Sequence, residues 1–439
     1  MAQNYSKDSF DRFGDDLCQE LLSYMAFKDR FRCECVSKQW QRVVFEGQLA
    51  LNIKRELFDD NFSQIVSILT KCSNIRRVYS EYEEPVFKSF ELIFLVINLC
   101  HHLNDMSFIV SEDNVHWINH FMAKFAKQMQ CISFDFDDKA MIDMKHKWLK
   151  MCVNLTAIHI PFDELSKSRL GFSPRNDLHY KRLNSLHLTF SKSNDNSIDI
   201  NLCAFELFAR NYGHNIKTIG FTINFLIDDE MVNRLTDGLK RMPALIALDV
   251  KFNVFVDYLL PLIGLKCPQL KALTVDTSHL RETFKAINQC FNQQLKRLKI
   301  NVWDYQQLSV DSLNSLKRLT HLKLFLVETT LTGLFFANCH HKWPQLRYLR
   351  ANRVLITNQL LNALSRLRHI RHMHLSGRPV PTPRHGIQNV VINCPKIDCR
   401  LHSSKGKEVP EIEELFRKLM SGQSDPETSS SDVKSKYFK

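Results

Sequence analysis

The residues best placed to do chemistry in this 439-residue chain are cations rather than nucleophiles. Between Arg281 and Val380 the sequence carries sixteen Lys and Arg against four Asp and Glu, a net of +12 within that window. Inside it Arg297/Lys299, His321/Lys323, Tyr348/Arg350 and His372/His374 recur as pairs two residues apart, with Arg353 just beyond. Residues two apart share one face of a strand, so the pairs predict a basic ladder. Guanidinium groups grip carboxylate or phosphate in a fork, whereas lysine acts as a point charge. Three uses stay open: an acidic or phosphorylated protein segment, a nucleic-acid backbone, or a solvated charged surface without a dedicated ligand.

Covalent and metal chemistry find little support. The chain has 12 glycines and no Gly-rich phosphate loop, no H-E-x-x-H and no G-x-S-x-G. His101-His102 and Cys339-His340-His341 lack further ligands at metal spacing and read as loop residues ahead of a strand. The pairs Cys33/Cys35 and Cys394/Cys399 belong to no doubled C-x-x-C set. No catalytic residue, metal or cofactor is expected. Thirteen cysteines without an apolar leader in MAQNYSKDSFDRFGDD argue for reduced thiols and a soluble protein of the cytoplasm, the nucleus or both.

What must position the ladder is a repeat. An apolar-x-x-apolar-x-apolar unit recurs at Leu155/Ile158/Ile160, Leu183/Leu186/Leu188, Ile216/Ile219/Phe221, Leu245/Leu248/Val250 and Leu270/Leu273/Val275. It continues at Leu295/Leu298/Ile300, Leu319/Leu322/Leu324, Leu346/Leu349/Ala351 and Ile370/Met373/Leu375. Weaker copies stand at Ile75/Val78, Leu103/Met106/Phe108 and Met129/Ile132/Phe134, with a poor one near Ile397. The last two apolar residues of a unit share the buried face of a short strand. Segments such as Met231–Leu239 and Asn358–Leu367 return as helices by their three- and four-residue apolar spacing. One strand-plus-helix unit cannot bury its apolar side alone, so neighbours must stack. Cys72, Cys100, Cys152, Cys267 and Cys394 each stand three residues before a unit, which suits small buried side chains rather than ligands. Pro243, Pro268, Pro344 and Pro395 stand two before it, where proline ends the returning helix.

This pattern resembles the leucine-rich repeats over roughly Ile75 to Leu401, without the family's final Asn or Cys. The resemblance implies an α/β fold: an irregular solenoid or horseshoe of about 12–13 repeats spanning 72–402, with the ladder on its concave face.

Ahead of the repeats, Leu17, Leu21, Leu22 and Met25 make an amphipathic helix with Asp15 and Asp16 in its first turn. Ser37 can cap a later helix that carries Trp40, Val43 and Val44. Helices this short expose more apolar surface than they can bury among themselves, and the surplus predicts a partner. The segment resembles an F-box through Phe13, Leu17, Leu21, Leu22, Met25, Asp29, Phe31, Val36 and Trp40, with Val36-Ser-Lys-Gln-Trp40 the closest stretch. It departs from the family at Phe13 and Gly14, where leucine and proline are usual. The resemblance implies docking on a Skp adaptor, and through it on a cullin scaffold, by Phe13, Leu17, Leu21, Leu22, Met25, Phe31, Val36 and Trp40. A helical cap on the repeat array is the plain alternative.

The expected organisation is a flexible start (1–10), F-box-like helices (11–46), a helical connection (47–71), the repeats (72–402), a cap helix (403–420) and a disordered tail (421–439). Expected function is a non-catalytic receptor of a Skp–cullin–F-box ubiquitin ligase. Alternatives are a repeat scaffold or inhibitor without a ubiquitin link, and a basic nucleic-acid binder.

Overall fold

The computed structural model describes residues 14–25, 27–52, 62–79, 90–136, 142–161, 181–190, 195–223, 225, 228–252, 259–278, 280–303, 313, 316–327, 330–379 and 384–403. Phe13, the expected cap helix and the tail lie outside them. The chain divides into two compact units, Met1–His187 and Leu188–Lys439.

The first unit opens with helices α1 (Asp15–Ser23), α2 (Phe27–Arg32) and α3 (Lys38–Glu46). Ser37 caps α3 as expected, its hydroxyl accepting the Trp40 amide at 3.2 Å. Five strands follow: β1 (Ala50–Asn52), β2 (Arg77–Tyr79), β3 (Asp105–Val110), β4 (Cys131–Phe136) and β5 (Ala157–Pro161), each pairing in parallel with the next. Strand β6 (Ser185–Phe190) runs from the end of this unit into the second. The carbonyls of Leu49, Arg76, Asn104, Gln130 and Thr156 each accept two consecutive amides where the next strand begins. One bend geometry is thus repeated at every step, and it satisfies backbone groups that the turn would otherwise leave unpaired.

Strand β1 corrects the expected connection. The spacing of Ile65, Ile68 and Leu69 does make a helix, Phe62–Lys71, but Ala50–Asn52 ahead of it already pairs with β2. Its one inward residue, Leu51, leaves no apolar pattern to read.

The second unit holds β7 (Thr218–Ile223), β8 (Ala247–Phe252), β9 (Ala272–Thr277), β10 (Arg297–Val302), β11 (His321–Leu326), β12 (Tyr348–Ile356), β13 (His372–Pro379) and β14 (Asp398–Ser403). They too pair in parallel with their sequence neighbours. The shared-carbonyl bend recurs at Lys217, Ile246, Lys271, Lys296, Thr320 and Arg347. Within each unit sheet order follows chain order. The fourteen strands among the described residues are the thirteen readable units plus β1; of the weak copies, β3, β4 and β14 are six residues long, while β2 has only three.

Each repeat apolar residue named above is buried, which gives the strands their alternating burial. Helices such as Asp229–Lys240 and Asn358–Leu364 return where the spacing places them. The cysteines ahead of the units are buried as expected, and burial pushes the thiols of Cys72 and Cys267 up to about 11 and those of Cys100 and Cys152 to about 12. They are un-ionised packing groups. Cys339–Lys342 is a short helix rather than the loop expected, with Cys339 buried on its inner side.

One irregularity breaks the ladder. Between Ala351 and Val354 the β12–β13 register shifts, and Arg353 takes a left-handed φ of 50°. Gly377 lies against the bulge: a Cβ there would stand 1.8 Å from the Val354 carbonyl oxygen. Only glycine lets the two backbones approach this closely.

Candidate functional site

Two surfaces qualify, one in each unit. In the first, Cys18 and Leu22 of α1 point inward and form a small core with Trp40, Val43 and Val44. Met25, Phe31, Cys33 and Phe45 pack against its side, partly buried, with the Phe31 and Phe45 rings 6.0 Å apart. Leu17 and Leu21 lie one position round the helix from Cys18 and Leu22 and remain 43% and 40% exposed. Val36, between α2 and α3, is 50% exposed. The expected docking residues therefore divide. Leu17, Leu21 and Val36 are available to a partner, Met25 and Phe31 partly so, and Leu22 and Trp40 hold the three helices together.

Polar contacts fix the frame. Asp15 accepts hydrogen bonds from Gln39 Nε2 and from Arg42 Nη2, both at 2.8 Å, which tie the first turn of α1 to α3. The Gln39 bond and then the Arg42 bond hold its carboxyl below the ordinary range. Lys71 pairs with Glu34 at 3.1 Å, and the Asn74 amide donates to the Glu46 carbonyl at 3.2 Å. These join the helices to the first repeat.

In the second unit the parallel register sets the basic residues in two rows. The first runs Arg297, His321, Tyr348, His372, Asp398, and the second Lys299, Lys323, Arg350, His374, Arg400. Neighbours in a row are about 4.8 Å apart, one strand spacing. Arg297, His321, Arg350 and His372 are exposed, while Lys299, Lys323, Tyr348 and His374 are half-buried. Arg353, exposed at the bulge, stands outside both rows.

Aromatic rings interleave the cations. Lys323 Nζ lies 5.4 Å over Tyr348, while Lys299 Nζ and the Arg350 guanidinium lie 5.7 and 5.2 Å from the Phe325 ring centre. Tyr348 stacks on His321 at 5.7 Å and on His374 at 5.8 Å. Strands β10 to β13 contain no Asp or Glu, and among the described residues Lys299, Lys323 and Arg350 form no ion pair. Burial, then Arg350 and Lys299, lower the Lys323 pKa. Burial, then Arg297, Lys323, Arg347 and His372, lower that of His321. For His374 burial again comes first, with Arg400, Arg350 and His372 opposed by Asp398. Asp398 closes the rows, 3.4 Å from His372, 3.8 Å from His374 and 3.4 Å from Arg400. Such a strip raises the local concentration of anions.

Phe325, Trp303 and Val327 escaped the sequence reading. Trp303 follows β10 and is 59% exposed, with Val327 exposed beside it after β11. The signal was available: both continue the outward alternation, Lys299, Asn301, Trp303 and Lys323, Phe325, Val327. Among the described residues no group of His, Cys, Asp or Glu could hold a metal ion, and no helix is long and apolar enough to cross a membrane.

Residues 10–46 match the F-box domain family. No curated protein matches the chain by sequence. Solved structures with similar folds include the leucine-rich repeat-containing protein LegL7 from Legionella pneumophila, 13% identical, covering 76% of this chain and 95% of that one at a TM-score of 0.37. The Rad7 and Elc1 complex in yeast is 13% identical, with 84% and 90% covered and a TM-score of 0.39. A TLR13–ssRNA13 complex is 12% identical over 75% of this chain, which spans only 46% of that one, at a TM-score of 0.39. Residues 10–46 thus match an F-box domain, and repeated parallel strands follow them.

Proposed function

We propose that this chain is the substrate-recognition subunit of a Skp–cullin–F-box ubiquitin ligase. It performs no bond chemistry itself. Its F-box docks a Skp adaptor, the adaptor links to a cullin scaffold, and the basic rows of the second unit receive an acidic or phosphorylated protein target. Proximity is the contribution: holding a target near a charged ubiquitin turns an encounter into an intramolecular event. The work belongs to the cytoplasm, the nucleus or both.

The observation that carries this reading is the division of α1 into two stripes. Cys18 and Leu22 already fill the core, yet Leu17 and Leu21 present a second apolar stripe to solvent. A helix that served only as a cap on the repeats would need one stripe. Exposed leucines at i and i+4 form a ridge that a partner can bury.

The test is co-purification with the tagged full chain. Wild type should recover Skp adaptor and cullin, and a Leu17→Asp/Leu21→Asp variant should recover neither. If wild type recovers neither, the chain is a repeat scaffold without a ubiquitin link.

A further inference from the structure

The outward face of the second unit is divided along its strands. Lys299, Lys323 and Arg350 make one cationic row, Phe325 lies one outward position further on, and Trp303 and Val327 one beyond that. Four residues of strand separate Lys323 from Val327, about 13 Å. The backbone under the apolar end is pinned, because the Trp303 amide donates to the Thr277 carbonyl at 3.2 Å and the Val327 amide to the Val302 carbonyl at 2.9 Å. A tryptophan this exposed on a sheet face, next to a valine, invites cover by apolar surface.

Resting on the reading that this face receives the target, we infer that it binds a linear acidic peptide, with two or more carboxylates over Lys299, Lys323 and Arg350 and one large apolar side chain over Trp303 and Val327. The cations stand on three neighbouring strands, about 10 Å across the row. Two of them lean on the one Phe325 ring between them. Charges spread this way suit a run of carboxylates better than a single phosphate. Bases of a nucleic acid are also poorly served. His321, Tyr348 and His374 stack on one another with centroids 5.7 and 5.8 Å apart, less than the roughly 7 Å that an inserted ring needs. An extended peptide advances about 3.3 Å per residue, so its apolar residue falls about four positions from the acidic run.

The experiment measures binding of a fluorescein-labelled peptide to the full chain by anisotropy, at low and moderate salt. The peptide carries glutamates at three alternate positions, which share one face of an extended chain, and a phenylalanine four positions from the middle one. Trp303→Ser should weaken binding about tenfold and leave its salt dependence unchanged. Lys323→Ala should weaken binding and flatten the salt dependence. Replacing the phenylalanine by alanine should erase the effect of Trp303→Ser. Melting curves on both variants check the fold, and Trp303→Phe should restore binding. Equal affinity with and without the phenylalanine overturns the inference. So does tighter binding of a phosphoserine peptide that lacks the apolar residue, or displacement of the peptide by oligothymidylate. Adaptor binding by the same preparations is read separately, so an intact F-box with an indifferent peptide face counts against this inference alone.

Discussion

The Lys323 ammonium lies 5.4 Å over the ring of Tyr348, its diagonal neighbour on the next strand. That contact offsets part of what the position costs, since Lys323 is half-buried between Lys299 and Arg350 with no carboxylate beside it. Burial and those two cations favour its neutral form, so the folded state binds the proton less well than the unfolded chain does. A base depressed in this way contributes stability that rises as pH climbs toward its ordinary value of 10.5. At neutral pH Lys323→Gln should therefore raise the melting temperature while weakening binding of anionic peptides. A lower melting temperature, seen by calorimetry, contradicts the description of this row as mutually repelling cations.

His321 and His374 add a pH dependence of the same surface. Both are held below the ordinary 6.5, by burial first and by neighbouring cations second, so both are neutral at pH 7. Protonation as pH falls below the ordinary 6.5 adds positive charge to the rows, and glutamates stay ionised down to about 4.3. Acidic-peptide affinity should rise several-fold between pH 7.5 and 5.5, and His321→Gln should remove part of the rise. The sign for stability is opposite. Histidines depressed in the folded state cost stability as pH falls through 6.5. An affinity that falls over this range rules out the assigned charge states.

Core and surface of the F-box should separate cleanly by mutation. Trp40→Ala empties part of the core and should cost about 3–5 kcal/mol, enough to unfold the three helices. Leu17→Asp/Leu21→Asp should leave their circular dichroism unchanged, because neither leucine fills the core. Loss of helical signal in the double variant would show that these leucines support the fold after all.

Much of this was legible in advance, and the exceptions have physical causes. The repeat strands were readable because a buried strand face demands the same apolar positions each time. Strand β1 was not, because only Leu51 turns inward there. In α1 the periodicity marks one broad apolar stripe, but which half the other helices cover is decided by tertiary packing with Trp40 and Val43. Cys18 was passed over for that reason, although it is fully buried. Asp398 closes the cationic rows from β14, where the repeat keeps too few of its apolar positions to set a register. Trp303 was missed because it falls one residue past the strand proper.

Gly377→Ala should be among the most damaging small changes in the second unit. The added carbon meets the Val354 backbone, its carbonyl oxygen at 1.8 Å, and backbone cannot swing aside as the end of a side chain can. A loss of about 3 kcal/mol is expected in denaturant unfolding. A change below 1 kcal/mol would mean that the bulge at Arg353 relaxes freely.

Leu17 and Leu21 decide the role of the three helices by whether they face a partner. The most direct measurement is calorimetric titration of purified full-length chain with a purified Skp adaptor, wild type beside Leu17→Asp/Leu21→Asp. The account predicts saturable binding for wild type, with the negative heat-capacity change of apolar burial, and none for a folded double variant. Equal binding by both proteins, or no binding by either, would contradict it.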